Sequence, residues 1–451
     1  MTVVPTNPES LYPDHLDRYR RVYEDALAEH GARGLVISSG SMKTAFLDDS
    51  TYPFMVNPHF KTWLPILDND ESFIVLRPGE RPILLYHQPR DYWHKPPANP
   101  AGFWVEHWDI RTIDELSDAH NAISDPASLV FIGEEEALAR QWGFGSINPD
   151  NLLDAVHFER AYKTDYELAC LQLANNNAAM GHLAAERAFR EGLSEFDIQH
   201  RYLGAIGHRE RETPYSGIVA LNENCAVLHY QHYEAKPPAR IHSMLIDAGA
   251  SFNGYAADVT RTWAAEPGEF QTLIDAMNEQ QQSIIEDIAC GRSYADLHRD
   301  MQLRVARILK DFGFVDMTPE AMLETNVTFT FLPHGLGHFL GLQTHDVGGH
   351  QQNRQGDLAP PPDEYPALRL TRPIENRQVF TIEPGLYFIP MLLEELKQSK
   401  HGRCLNNEKI ERFLPFGGIR IEDNIAMIDG APANLTRNAF NALNTDDQTQ
   451  S

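Results

Sequence analysis

The sequence predicts two domains. Residues 1–160 read as an α/β unit, and residues 161–435 as an α+β unit with two related halves closing around one curved, pseudo-symmetric antiparallel sheet; a polar tail, 436–451, follows. Three observations lead there. At 451 residues the chain exceeds what one ordinary core encloses. The string Gly192-Leu-Ser194-Glu-Phe-Asp197-Ile198 recurs as Gly291-Arg-Ser293-Tyr-Ala-Asp296-Leu297, each time between two helical stretches that strands then follow. Between them, Met244–Ala250 and Tyr255–Trp263 flank Asn253-Gly254, a dipeptide favoured in tight hairpin turns.

In the first unit, Tyr19, Val22, Tyr23 and Leu27 at helical spacing predict a helix over Leu16–His30. Gly34–Ser38, Ser72–Leu76, Pro82–Tyr86 and Val130–Ile132 read as strands, the middle pair joined by a turn at Arg77-Pro-Gly-Glu80. The aromatic-rich segments Phe46–Pro65 and Asp91–Pro97 are either an apolar edge packed under a loop or the rim of a substrate pocket. Thr164-Asp-Tyr-Glu167 is a capping box opening a helix to about Arg190, and Ser194 caps a second helix to about His208. Strands are expected at Gly217–Ala220, Ala226–Tyr230 and in the hairpin. Helices over Phe270–Cys290 and up to Phe312 follow, then strands at Thr328–Leu332, Val379–Phe388 and Ile419–Met427. Polar or Pro-rich segments at 350–366 and 392–407 read as surface insertions or lids, and the tail beyond Asn434 as frayed.

Composition narrows the function. A net charge of −26, from 38 basic and 64 acidic residues, argues against nucleic-acid or anionic-membrane partners. The four cysteines show neither CxxC spacing nor a disulfide framework, which points to a reducing compartment. The start of the chain has no signal-peptide pattern and no apolar run is long enough to span a bilayer, so a cytoplasmic protein is expected.

The chemistry sits in the second unit. With Asn253-Gly254 as the turn, Asp247 lies opposite Thr260 and Asp258 is its diagonal neighbour, about 7–8 Å away along the backbone. Two carboxylates in apolar strands either hold a cation or are a loop aspartate and an Asp258–Arg261 pair. Three further strings bear on this: Pro333-His334-Gly-Leu-Gly-His338 with His345, Phe380-Thr-Ile-Glu383-Pro-Gly385, and Gly417-Gly-Ile-Arg420-Ile-Glu422-Asp423. Gly335 and Gly337 argue against a helical histidine pair and suggest close backbone approach instead. Each string alone has an ordinary explanation, a core histidine or a surface glutamate. Together they supply two Asp, two Glu and one His, a charge of −4 that two divalent ions neutralise. Such an oxygen-rich set suits Mn²⁺, Co²⁺ or Zn²⁺. Two ions about 3.5–4 Å apart can share a bridging hydroxide that attacks a carbonyl or phosphoryl group.

The set DAG…ADVTRTW, HGLGHFLGLQTHDVGG, FTIEPGLYF and FGGIRIEDN resembles the metal-dependent creatinase/prolidase family of pita-bread fold, which includes methionine aminopeptidases, Xaa-Pro aminopeptidases and prolidases. FLDDSTYPFMVNPHFKTWLP, DYWHKPP and TPYSGIVALNENCAVLHY narrow the likeness to bacterial prolidases of the type that also includes organophosphorus acid anhydrolase; it extends over about residues 10–435. The resemblance implies Asp247, Asp258, His338, Glu383 and Glu422 as ligands of two divalent ions, Mn²⁺ first, with Co²⁺ or Zn²⁺ as alternatives. It implies Glu383 as proton shuttle, His229 and His345 beside the substrate carbonyl, and His334 and Arg420 at the substrate carboxylate. Tyr215, Tyr294, Trp93 and Leu368 match pocket walls, and Asp49 matches a residue supplied by the other subunit of a homodimer. Phe339 and Thr344 depart from the family strings, a change of pocket size rather than chemistry. The implied activity is hydrolysis of Xaa-Pro dipeptides with organophosphorus hydrolysis beside it. The rivals are an organophosphorus hydrolase in the first place, an Xaa-Pro aminopeptidase, and a non-enzymatic binding protein on the same fold.

Overall fold

A computed structural model describes residue 4 and residues 7–449, with side chains described up to 443. The chain divides into two compact units, Pro5–Cys170 with Gln351–Asp357, and Leu171–His350 with Leu358–Ser451 and Met1–Val4. The division falls inside the helix Asp165–Arg190, beyond the boundary expected near residue 160.

The first unit is built on a mixed six-stranded sheet: β1 Gly34–Ser38, β2 Phe73–Leu76, β3 Ile83–His87, β4 Asp109–Ile113, β5 Leu129–Ile132 and β6 Ser146–Ile147, in the spatial order β4-β3-β2-β1-β5-β6. Four of these match the expected runs to within a residue. β4 escaped notice because it is half-exposed and carries Asp109 and Arg111, so it lacks an apolar signature. The first helix starts at Pro8 rather than Leu16, since proline in the first turn gives up an N–H that would be unpaired there anyway. Part of the supposed lid belongs to this unit: Arg354 pairs with Glu159 at 2.7 Å and Gln351 bonds Asp154 at 3.1 Å.

The second unit repeats a pattern. In the first half, the helices Asp165–Arg190 and Glu195–Ile206 precede β7 Ile218–Leu221, β8 Ser243–Asp247, β9 Ser251–Phe252, β10 Tyr255–Ala256 and β11 Thr260–Ala264. In the second half, the helices Glu269–Glu286 and Tyr294–Asp311 precede β12 Val379–Ile382, β13 Gly385–Tyr387, β14 Gly418–Arg420, β15 Asp423–Ile428 and β16 Ala431–Asn434. Both expected helix starts have their caps. Thr164 and Glu167 bond each other's backbone N–H at 3.2 and 2.8 Å, and Ser194 accepts from the Asp197 N–H at 3.2 Å. Three antiparallel strands, β11-β8-β7, make one sheet and β12-β15-β16 another, joined by an isolated bridge between Thr260 and Glu422.

Register does the positioning. Asn253 and Gly254 take the left-handed conformation (φ 49° and 86°) that a two-residue hairpin turn requires, and Asp247 pairs with Thr260 as expected. Ile382 pairs with Asp423, so one residue further Glu383 stands opposite Glu422. The long expected strands are in fact broken at these two glutamates: Val379–Phe388 splits at Glu383-Pro384 and Ile419–Met427 at Ile421-Glu422. Pro384 lacks the N–H that continued pairing would need.

Several expectations fail. Ala226–Tyr230 is irregular rather than a strand: a 3-10 turn at Asn222–Ala226 leads into it, and the Asn222 side chain binds the Arg240 carbonyl and the His242 N–H. Thr328–Leu332 gives way to a 3-10 turn, Val327–Thr330, behind left-handed Asn326. Residues 392–407 form no open loop but much of the helix Pro390–Gln398 and a 3-10 turn. The polar tail is a helix, Leu435–Thr449, anchored by buried Leu435, Thr436 and Ala439. Its Arg437 bonds Asp423 at 2.8 Å, on the carboxylate that Arg261 also meets at 2.8 Å. Asp423→Ala is expected to cost about 3–5 kcal/mol, because it strands a buried guanidinium. Urea unfolding in chelator tests this, and a loss below about 1 kcal/mol would refute it.

Candidate metal centre

Five acidic or imidazole side chains reach one region of the second unit. Asp247 ends β8. Its Oδ1 accepts from the Tyr215 hydroxyl at 2.8 Å and its Oδ2 from Arg420 Nη2 at 2.7 Å. Asp258 lies between β10 and β11, with Oδ2 3.3 Å from His338 Nε2; Glu383 Oε1 is 3.6 Å from the same nitrogen. Glu422 accepts from the Thr260 hydroxyl at 2.8 Å. Ligand atoms of Asp258, His338 and Glu422 lie within 4.8 Å of one another, the one such group among the described residues. Arg261 turns away to Asp423, so the alternative of an Asp258–Arg261 pair does not hold.

The glycines around His338 admit close packing. A Cβ on Gly337 would stand 2.3 Å from the Thr381 carbonyl oxygen and 2.5 Å from the Tyr294 hydroxyl. That closeness lets the His338 N–H reach Thr381 Oγ1 at 3.2 Å while its Nδ1 donates to the Phe339 carbonyl at 2.9 Å. A carbonyl can only accept, so Nδ1 carries a proton, and Nε2 is the nitrogen that faces the acids.

The electrostatics report crowding. Burial, and then the neighbouring acids, hold Glu422 well above the usual carboxylate range. Burial also raises Asp247, and it pushes Glu383 up to about 7. Asp258 is the exception: burial raises it, but the hydrogen bond and charge of His338, with Tyr215 and His345, together outweigh that and lower it. His338 is raised in turn, because Asp258 and Glu383 outweigh its own desolvation. Four carboxylates thus share Arg420 and one imidazole as countercharge. Oxygen-rich and net negative, the set fits divalent cations.

The remaining expected residues separate into groups. His334 Nδ1 donates to the Gly335 carbonyl at 2.8 Å, so its Nε2 accepts from the Tyr387 hydroxyl at 2.8 Å; that oxygen in turn accepts from Arg420 Nη1 at 2.9 Å. Burial and Arg420 depress His334 to about 4. His345 stands edge-on to His338 with ring centroids 4.4 Å apart, and burial followed by His338 lowers it to about 4. His229 is exposed, and its charge bears on both His334 and His345. Tyr294 and Leu368, expected as pocket walls, are buried: Tyr294 donates to the Thr381 carbonyl at 2.6 Å, and the Leu368 Cα stands 3.0 Å from where Gly335 would carry a Cβ. Asp49 and Trp93 are exposed residues of the first unit. Sequence reasoning missed Thr260, Thr381 and Tyr387, whose only signal was proximity in sequence to the charged residues.

Residues 10–158 match the model of the Xaa-Pro dipeptidase N-terminal domain, and residues 169–429 match metallopeptidase family M24. The chain belongs to metallopeptidase family M24. Its likeness to the Xaa-Pro dipeptidases of that family runs over nearly the whole length. It is 48% identical over 430 residues to an Xaa-Pro dipeptidase of Pseudoalteromonas haloplanktis, covering 95% of this chain and 98% of that one. With one from Aeromonas hydrophila the identity is 46% over 432 residues, covering 95% and 98%. Among solved structures, zinc-substituted Escherichia coli aminopeptidase P in complex with product has the same fold, with a TM-score of 0.71 at 22% identity over 93% of this chain and 95% of that one. The fold is therefore the pita-bread arrangement expected. No described helix is long and apolar enough to cross a membrane.

Burial raises Glu383 above its unfolded value, so its penalty in the metal-free protein is absent below about pH 4.5 and grows as pH rises through about 7. Glu383→Gln is therefore expected to raise the melting temperature of chelated protein at pH 8 and leave it unchanged at pH 4.5. Equal shifts at both pH values would contradict that assignment.

Proposed function

We propose that this chain is a metal-dependent dipeptidase that hydrolyses Xaa-Pro dipeptides. The observation that carries the proposal is the convergence of Asp258, His338 and Glu422 in a chain 48% identical over nearly its whole length to an Xaa-Pro dipeptidase. Asp247, Asp258, His338, Glu383 and Glu422 would hold two divalent cations, Mn²⁺ first, with Co²⁺ or Zn²⁺ compatible with the same donors. When bound, these would supply Lewis acidity and lower the pKa of a water towards neutrality.

The chain's own residues do the rest. Glu383 takes the proton of the attacking water and returns it to the proline nitrogen as the C–N bond breaks. His345 and His229 donate to the oxyanion that develops on the scissile carbonyl. The substrate carboxylate would be held by Arg420, with His334 beside it, and Tyr387 touches both of them. Because the proline nitrogen has no hydrogen, ring packing must select proline, with half-exposed Tyr215 as the aromatic candidate in this unit. Asp49 would reach the site of a second copy in a homodimer. Exposed Phe46, Leu47 and Tyr92, on the same unit as Asp49, support an interface there. Four cysteines without a disulfide agree with a cytoplasmic setting.

Ala-Pro hydrolysis is expected to vanish on chelation, return with Mn²⁺ and stay below about 1% in Asp258→Ala; activity that survives both treatments would sink the mechanism. Gly-Pro-Ala should remain intact, and its cleavage would make the protein an aminopeptidase. A fluorophosphonate run in parallel tests the expected organophosphorus side activity, which the same attacking water would support.

A further inference from the structure

Asp258 lies in the gap between two short strands. β10 ends at Ala256 and β11 begins at Thr260, so the Asp258 peptide groups have no ladder partner. The side chain of Asn424 takes that place. Its Oδ1 accepts from the Asp258 N–H at 3.1 Å, and its Nδ2 donates to the Asp258 carbonyl oxygen. One amide thus pairs with both peptide groups of one residue, as a neighbouring strand would. Asn424 is itself fixed at both ends. Its backbone pairs with Thr381 across β12 and β15, and its N–H donates at 2.9 Å to the Thr436 hydroxyl, which donates onward to Asn175 at 2.7 Å. Asn424, Thr436 and Asn175 are completely buried.

We propose that Asn424 is a positioning residue for Asp258 and that it sets the affinity of the site for divalent cation. This rests on the ligand role assigned to Asp258 above. Without the amide, a buried N–H and a buried carbonyl lose their partners together, and the peptide must rotate to find others. Rotation swings the Asp258 carboxylate away from His338 and Glu422. Thr436 extends the chain of contacts into the C-terminal helix, so the last element of the fold bears on a ligand far from it in sequence.

The test is Mn²⁺ binding to full-length, chelator-stripped protein by calorimetry, with melting temperatures recorded in chelator. Asn424→Ala is expected to weaken Mn²⁺ binding about 10–100-fold, the range for a partner of a metal ligand. Asn424→Gln keeps a buried amide but places it one methylene out of register, so it should weaken binding as well; it serves if the alanine protein does not accumulate. Wild-type Mn²⁺ affinity in either folded variant, even with a lower melting temperature, would overturn the proposal and leave Asn424 a purely structural residue. Asp258→Ala separates the two levels: if it still binds Mn²⁺ with wild-type affinity, the ligand assignment itself is wrong and the role of Asn424 goes with it.

Discussion

The rest of this structure depends on holding four carboxylates in one half-buried place without letting them push the strands apart. At the usual dielectric of such a site, like charges a few ångströms apart repel by several kcal/mol. Burial first, and the neighbouring acids after it, raise the pKa values of Asp247, Glu383 and Glu422. Rigid surroundings contain the repulsion. Asp247 and Thr260 face each other, Thr260 is bridged to Glu422, and Glu422 stands opposite Glu383, so three of the acids lie in a single transverse row across the strands. Arg420 sits at the middle of the row and touches Asp247, Thr260 and Tyr387.

The pseudo-repeat explains how one row can draw on both halves. Each half contributes a pair of helices and then an antiparallel sheet, and the two sheets meet at Thr260 and Glu422. The hairpin brings Asp247 and Asp258, and the second half brings His338, Glu383 and Glu422. Neither half alone brings all five side chains.

Much of this was legible in the sequence because the signals are local. Asn253-Gly254 fixed the hairpin register, and Thr164 and Ser194 marked helix starts by side-chain bonds that span three residues. The five ionisable residues stood out because charge inside apolar runs is rare. What escaped lacks such a signal. Asn222 and Asn326 turn the chain where the apolar pattern alone looks like a strand. Tyr387, Thr260 and Asn424 are ordinary strand residues whose importance comes from what stands next to them in space. The C-terminal helix looked like a tail because its anchors, Leu435, Thr436 and Ala439, are few and its remaining residues mostly polar.

The contact between Thr260 and Glu422 joins residues 162 positions apart, whereas Asp247 meets Thr260 through a tight turn. One half-site can therefore form early and locally, and the other only after most of the chain is in place. A cation that needs both halves behaves as a long-range cross-link. It binds the completed chain more tightly than partly folded ones, and by mass action it favours the completed one. Cation occupancy would then report that folding has finished, and a chain cut short before its second sheet would be left both inactive and without this source of stability.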